Sequence, residues 1–167
     1  MPEQKKEDKT HAKEAQLVIF RLTGEEFGLE IGQVREIIRM QDVTPMPKAP
    51  QFIEGVINLR GQIIAVMDLT KRFGLKKTDR TEKTRIVVTE VKDKTVGLIV
   101  DEVPEVLRIS EDAIDPTPEM IESQINSEFI RGVGKLEERL IILLDVDKIM
   151  SSEEIKQVSE NAKEQGV

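Results

Sequence analysis

Apolar and polar positions alternate along this chain in short runs, the period-two signature of half-buried β-strands. QLVIFRL (16–22) and FGLEI (27–31) flank a TGEE turn, in which Thr23-Gly24 supplies the turn chemistry of a hairpin. VREIIR (34–39) reads as a single helical turn or the start of a bent strand. The segment TPMPKAP (44–50) carries three prolines, which exclude a central strand. GVINL, an Arg60-Gly61 turn and QIIAVMDL follow, then TRIVVTEV, a VKDK turn and TVGLIV, and finally IRGVGKLEERLIILLDV. Near the end the period changes. Ser151 as N-cap and Glu154 three residues on form a capping box that opens a surface helix with an Ile155, Val158, Ala162 stripe.

The order of these runs is duplicated. FIEGVINLRGQIIAVMDLTKRF (52–73) lies over FIRGVGKLEERLIILLDVDKIM (129–150) at an offset of 77, with 8 of 22 positions identical. Upstream, FGLEIGQVREIIR (27–39) lies over VGLIVDEVPEVLR (96–108) at an offset of 69, placing Gly28 on Gly97, Glu36 on Glu105 and Arg39 on Arg108. The difference puts eight extra residues between Arg108 and Phe129, a longer loop containing Pro116 and Pro118. The chain therefore reads as two copies of one unit of about 60 residues. Five or so short strands per unit suggest a small closed barrel, and a unit of that size buries too little apolar surface to stand alone. The expected fold is mainly β: two five-stranded barrels packed over a shared hydrophobic core, with short helices and a C-terminal helix. The expected boundaries are a tail over 1–14, barrel one over about 16–75, barrel two over about 84–150, and a helix and tail over 151–167.

Composition narrows the function. With 38% hydrophobic residues, 5 Phe and neither Trp nor Tyr, the core must be built from Ile, Val, Leu and Met. A formal charge of −7 argues against a nucleic-acid surface, which needs clustered cations. The absence of Cys leaves no disulfide framework and suits a reducing compartment. The charged N-terminus MPEQKKEDKTHAKEA lacks the apolar stretch of a secretory signal, and no run approaches the length that spans a bilayer. The expectation is a cytoplasmic protein without direct membrane contact.

A search for chemistry returns little. His11 is the only histidine and sits in the polar tail, where nothing would position it as a base or a ligand. Most carboxylates fall in charge-mixed turns such as Glu25-Glu26 and Glu137-Glu138. Asp145 and Asp147 resemble a calcium loop only superficially, because Lys148 and Ile149 stand where oxygen ligands and a glycine are needed. RGVGK (131–135) lacks the spacing of a phosphate loop, and its counterpart reads EGVIN. No catalytic residue, cofactor or metal is expected. What remains is surface, including a possible ion pair between Glu36 and Arg60 at the rim of the first copy.

GVINLRGQIIAVMDL (55–69), TPMP (44–47), VGLIVDEV (96–103) and RLIILLDVDKI (139–149), in this order and spacing, resemble the CheW coupling proteins of bacterial chemotaxis. The similarity runs from about residue 15 to 155. It implies a CheW-like domain of two SH3-like five-stranded barrels without catalytic activity. It also implies two partners: the C-terminal regulatory domain of the histidine kinase CheA, and the cytoplasmic tip of methyl-accepting chemoreceptors, with recruitment to receptor arrays. Carried over by position, a receptor-binding groove between the barrels is expected at Val18, Ile31, Val34, Ile37 and Val103. Plain inter-barrel core is the alternative reading of the same residues. A kinase-binding face is expected at Arg39, Met40, Asp42, Val43, Glu54, Arg60 and Ile63, with ordinary surface as its alternative. Two further readings stand beside this one: a CheW-like adaptor of another receptor–kinase pathway, and a small ligand-binding β-barrel with a polar-lined pocket.

Overall fold

A computed structural model describes residues 13–116 and 125–164, and side chains as far as Ser159. His11 and most of the expected tail, Pro118 in the long loop, and Ala162 of the helix stripe lie outside these limits. Eleven strands are described: β1 (Glu14–Leu22), β2 (Glu25–Glu30), β3 (Val34–Arg39), β4 (Ile53–Leu59), β5 (Gln62–Asp68), β6 (Arg85–Val91), β7 (Lys94–Val100), β8 (Glu102–Ser110), β9 (Ile114–Asp115), β10 (Ile130–Leu136) and β11 (Arg139–Leu144). Helix α1 (Leu69–Phe73) follows β5, and α2 (Ser152–Glu164) closes the described chain. VREIIR is a strand. Four hairpins turn where the punctuation lies, with positive φ at Thr23-Gly24, Arg60-Gly61, Lys92-Asp93 and Glu137.

The strands form two sheets, in the orders β8-β1-β2-β11-β10-β9 and β3-β6-β7-β5-β4. This grouping departs from the boundaries expected at 75 and 84. Each sheet takes the hairpin of one sequence copy and the remaining strands of the other, so β1-β2 pair with β8 and β11 while β6-β7 pair with β3 and β5. The exchange is symmetric to the residue. Leu17 faces Leu107 as Ile86 faces Ile38, and Phe27 faces Ile142 as Val96 faces Ala65. Those positions are related by the offsets of 69 and 77, and the offsets themselves carry no information about which copy a hairpin joins.

The five-stranded sheet curls until its two edges meet. Beyond β3 the chain continues along β4, where Thr44 and Val56 exchange backbone hydrogen bonds of 2.9 and 2.8 Å, and Arg60 reaches Glu36 across the closing edge. Gly55 sits at the bulge of this closure with φ 152°, and a Cβ there would lie 2.0 Å from the Thr44 carbonyl oxygen. Its counterpart Gly132 meets Asp115 in the same way at 2.8 Å.

Strand alternation divides the apolar residues between three clusters. Leu17, Ile19, Ile109, Ile141 and Leu143 fill the interior of one subdomain, and Ile57, Ile64, Val66, Ile86, Val88 and Ile99 fill that of the other. The opposite faces of the same strands meet in one large seam. Phe20, Phe27, Leu29, Met67, Leu98, Phe129 and Leu144 lie there together with Ile155 and Val158 of α2. The shared core is thus the largest cluster, and at about 1.5–3 kcal/mol for each fully buried large aliphatic or Phe side chain it binds the subdomains into one body.

Candidate functional site

The seam between the sheets opens at two edge strands, β3 and β8, which are counterparts in the repeat. On β3, Ile37 stands opposite Val87, which stands opposite Leu98, and both partners belong to the seam. On β8, Val106 stands opposite Val18, which stands opposite Leu29. Ile37 and Val106 are therefore the outermost members of two equivalent apolar rows, 38% and 46% exposed. Ile31, in the 3-10 turn that joins β2 to β3, is 41% exposed. Val34 and Val103 are half-buried and pack against the seam. Val18 is only 2% exposed, so its role at this rim is to back Val106. The expected groove set thus falls into exposed residues (Ile31, Ile37), half-buried walls (Val34, Val103) and one floor residue (Val18). Val106, exposed in the row equivalent to that of Ile37, stands outside the expected set, although the offset of 69 from Ile37 points to it.

Five of the second expected set, Arg39, Met40, Asp42, Val43 and Arg60, lie along the closing edge of the five-stranded sheet. Arg39 and Asp42 are exposed, whereas Met40 and Val43 pack half-buried against the interior of that subdomain. Arg60, in the β4–β5 turn, donates to both carboxylate oxygens of Glu36, one of them at 3.2 Å. That bidentate contact lowers the Glu36 carboxyl and raises the Arg60 guanidinium from their ordinary pKa values, the hydrogen bond being the larger cause in each. Ile63 is half-buried across β5, beside α2. Glu54 stands apart. It accepts from Lys71 at 2.5 Å and pairs with Arg80 at 3.1 Å, at the edge of a polar cleft of about 330 Å³ that also holds Asp68 and Asp101. Burial pushes its carboxyl up, but the Lys71 hydrogen bond and the charges of Lys71 and Arg80 outweigh that and hold it below its ordinary value. Its charge is already used within the chain.

The second subdomain keeps the rim pair by other means. Glu105 occupies the position of Glu36, but the counterpart of Arg60 is Glu137. The cation comes from Arg139, two residues later, which donates to Glu105 at 2.9 Å and to both oxygens of Glu26 at 3.0 Å. These bonds raise the Arg139 pKa, those from Glu26 first.

Two aspartates in equivalent repeat positions cap helical turns. Asp68 is buried as the N-cap of α1 and accepts from the Thr70 backbone at 3.0 Å and its hydroxyl at 2.6 Å. Asp145, its counterpart, caps a 3-10 turn by accepting from Asp147 N at 3.1 Å. Among the described residues no cluster of three or more His, Cys, Asp or Glu could hold a metal ion. The space between the sheets, where a ligand-binding barrel would need its pocket, is filled by the apolar side chains of the seam. Among the described residues no helix is long and apolar enough to cross a membrane.

A family model described as CheW-like domain matches residues 16–154. The chain is 42% identical over 139 residues to the chemotaxis protein CheW of Rhizobium meliloti (strain 1021), covering 83% of this chain and 89% of that protein. It is 38% identical over 148 residues to the chemotaxis protein CheW of Klebsiella aerogenes, covering 89% of each. Among solved structures, the scaffolding protein TtCheW of Thermoanaerobacter tengcongensis superposes with a TM-score of 0.77 at 39% identity, covering 82% of this chain and 88% of that one.

Proposed function

The chain belongs to the CheW family, and on that premise we propose that it is a non-enzymatic adaptor coupling chemoreceptors to the histidine kinase CheA in bacterial chemotaxis. The observation that carries the reading is the pair of equivalent apolar rows ending in Ile37 and Val106, exposed at the mouth of the seam. An apolar trough of this kind suits the helix-in-groove mode, in which an amphipathic helical hairpin such as a receptor tip lays its apolar stripe between two walls. Val34 and Val103 form the walls, Ile31, Ile37 and Val106 the rim, and Val18 the floor.

The kinase regulatory domain docks on the closing edge of the five-stranded sheet, where Met40 and Val43 offer an apolar centre and Arg39, Asp42 and Arg60 a polar margin, while Ile63 lies on the other face of β5 beside α2. Glu54 contributes indirectly, by holding Lys71 and Arg80. With the two faces on different elements, one molecule tethers both partners, and valency rather than either affinity sets the stability of the assembly. The protein acts in the cytoplasm and reaches the membrane only through receptor arrays.

Co-sedimentation with a receptor fragment, with the kinase regulatory domain, and with both together tests this reading. Val34→Asp places a charge in the groove wall, and the expected result is loss of receptor binding with kinase binding retained. Loss of both contacts in a folded variant, or binding to neither partner by the parent chain, overturns it.

A further inference from the structure

The two edge strands that bound the groove carry charge as well as apolar rows. Two residues beyond Ile37 on β3 comes Arg39, and two residues beyond Val106 on β8 comes Arg108, its counterpart at the offset of 69. Side chains two apart on a strand share a face, so each arginine stands beside its apolar row, about 7 Å further along the strand. Both are exposed. Next to Arg39 on that face stands Arg85 of β6, directly opposite it, and Val100 stands opposite Arg85 in turn.

These arginines differ from the rest. The chain has ten, all described, and seven of them pair with a carboxylate. Arg39, Arg85 and Arg108 are the three without a carboxylate partner among the described residues, in a chain whose 32 acidic residues outnumber its 25 Lys and Arg. The glutamates beside the two rows are already engaged, Glu36 with Arg60 and Glu105 with Arg139. The charge that the rim leaves unneutralised is therefore positive. Arg39 and Arg85, as like charges directly opposite on paired strands, destabilise the sheet unless an anion lies against them. They line a pocket of about 510 Å³ together with Lys83, and Glu82 is the one carboxylate residue at its wall. Arg85 is fixed there by donating to the Glu82 and Thr84 carbonyls at 2.8 and 2.9 Å.

We propose that these arginines make the groove selective for a partner helix that carries carboxylates one turn beyond its apolar stripe, an inference that rests on the groove reading above. A helix repeats a face every turn, about 5.4 Å. A carboxylate three or four residues from the apolar side chain that covers Ile37 therefore reaches Arg39 and Arg85. One placed likewise beyond the side chain that covers Val106 reaches Arg108. Guanidinium and carboxylate make short, charge-assisted hydrogen bonds, and a misplaced lysine or arginine on the helix is repelled. The occupant is a helix of another protein rather than α2 of a second copy. That helix is acidic, but its apolar residues Ile155 and Val158 are buried in the chain's own seam.

The probes are synthetic helical hairpins with one leucine stripe, carrying glutamate, glutamine or lysine three and four residues beyond the leucines. Each is titrated into the isotope-labelled full chain and followed by amide chemical shifts. The expected result is shifts concentrated at 31–39 and 103–108, with the glutamate hairpin binding about tenfold or more tighter than the glutamine one. Added salt shrinks that preference. Arg39→Gln combined with Arg108→Gln removes it while the glutamine hairpin binds as before, and Arg39→Glu combined with Arg108→Glu reverses it toward the lysine hairpin. Equal binding of the glutamate and glutamine hairpins by the parent chain, or a preference that survives Arg39→Gln with Arg108→Gln, overturns the proposal and leaves the groove in place. Binding of no hairpin, or shifts centred away from the groove, overturns the groove reading and this inference with it.

Discussion

At the scale of single residues, the tightest constraint is a missing side chain. Gly55 lets the continuation of β3 cross β4 at backbone contact, and an alanine there must move the Thr44 carbonyl, 2.0 Å from its Cβ. Gly55→Ala should cost about 2–4 kcal/mol in a denaturant titration, and a variant as stable as the parent would mean that the closure is loose. The exposed Glu36–Arg60 pair has a different signature, because exposed pairs contribute little to stability. Glu36→Ala should leave the melting temperature nearly unchanged yet weaken binding of the kinase module, and unaltered binding would remove the pair from the docking face. Glu54 gives a pH dependence. Its pKa is lower in the folded chain than its ordinary value of 4.5, so its contribution is present above that value and is lost as pH falls through the folded one. Thermal melts should separate Glu54→Gln from the parent at pH 7 and draw them together only as pH falls well below 4.5.

At the scale of elements, Arg72 is the residue that joins helices to seam. It projects from α1 between Phe52 and Phe129, counterparts in the repeat, with its guanidinium 4.4 and 5.1 Å from their ring centroids. Its Nε donates to the Ile149 carbonyl at 2.7 Å, and another nitrogen reaches Glu154 of α2 at 3.2 Å. Glu154 also accepts from Ser151 N at 2.8 Å and closes the capping box that the sequence announced. Arg72→Ala should destabilise by about 1–3 kcal/mol from the lost cation–π and hydrogen-bonding contacts. Arg72→Lys should recover only part of this, since a point charge cannot stack flat and donate sideways at once. Calorimetry on the three chains checks both statements.

At the scale of the whole molecule, the exchanged hairpins and the single seam make the two halves interdependent. A fragment ending near residue 81 contains β1-β2 without their partners β8 and β11, and β3-β5 without β6 and β7. Fragments 13–81 and 82–164 should therefore each lack cooperative unfolding alone and regain strand signal by circular dichroism when mixed. Cooperative melting of either fragment alone would show that one sequence copy folds by itself.

Much of this architecture was legible in the sequence because it is local. Alternation, turn residues and the Ser151–Glu154 cap act within a few residues of themselves, and the self-similarity of the chain exposed the duplication. The same local signals carry no address. Either copy's hairpin presents the same apolar faces to either set of strands, so periodicity could not say that β1-β2 cross to the second half. Nor could it separate Val18, closed beneath Val106, from Ile37 in the open, since a core wall and a groove wall have one composition. Only the packed chain distinguishes them, because exposure depends on what long-range pairing lays over each side chain. Ile63, half-buried beside α2, and Leu140, 59% exposed, hold the same position in the repeat, and tertiary structure alone made them different.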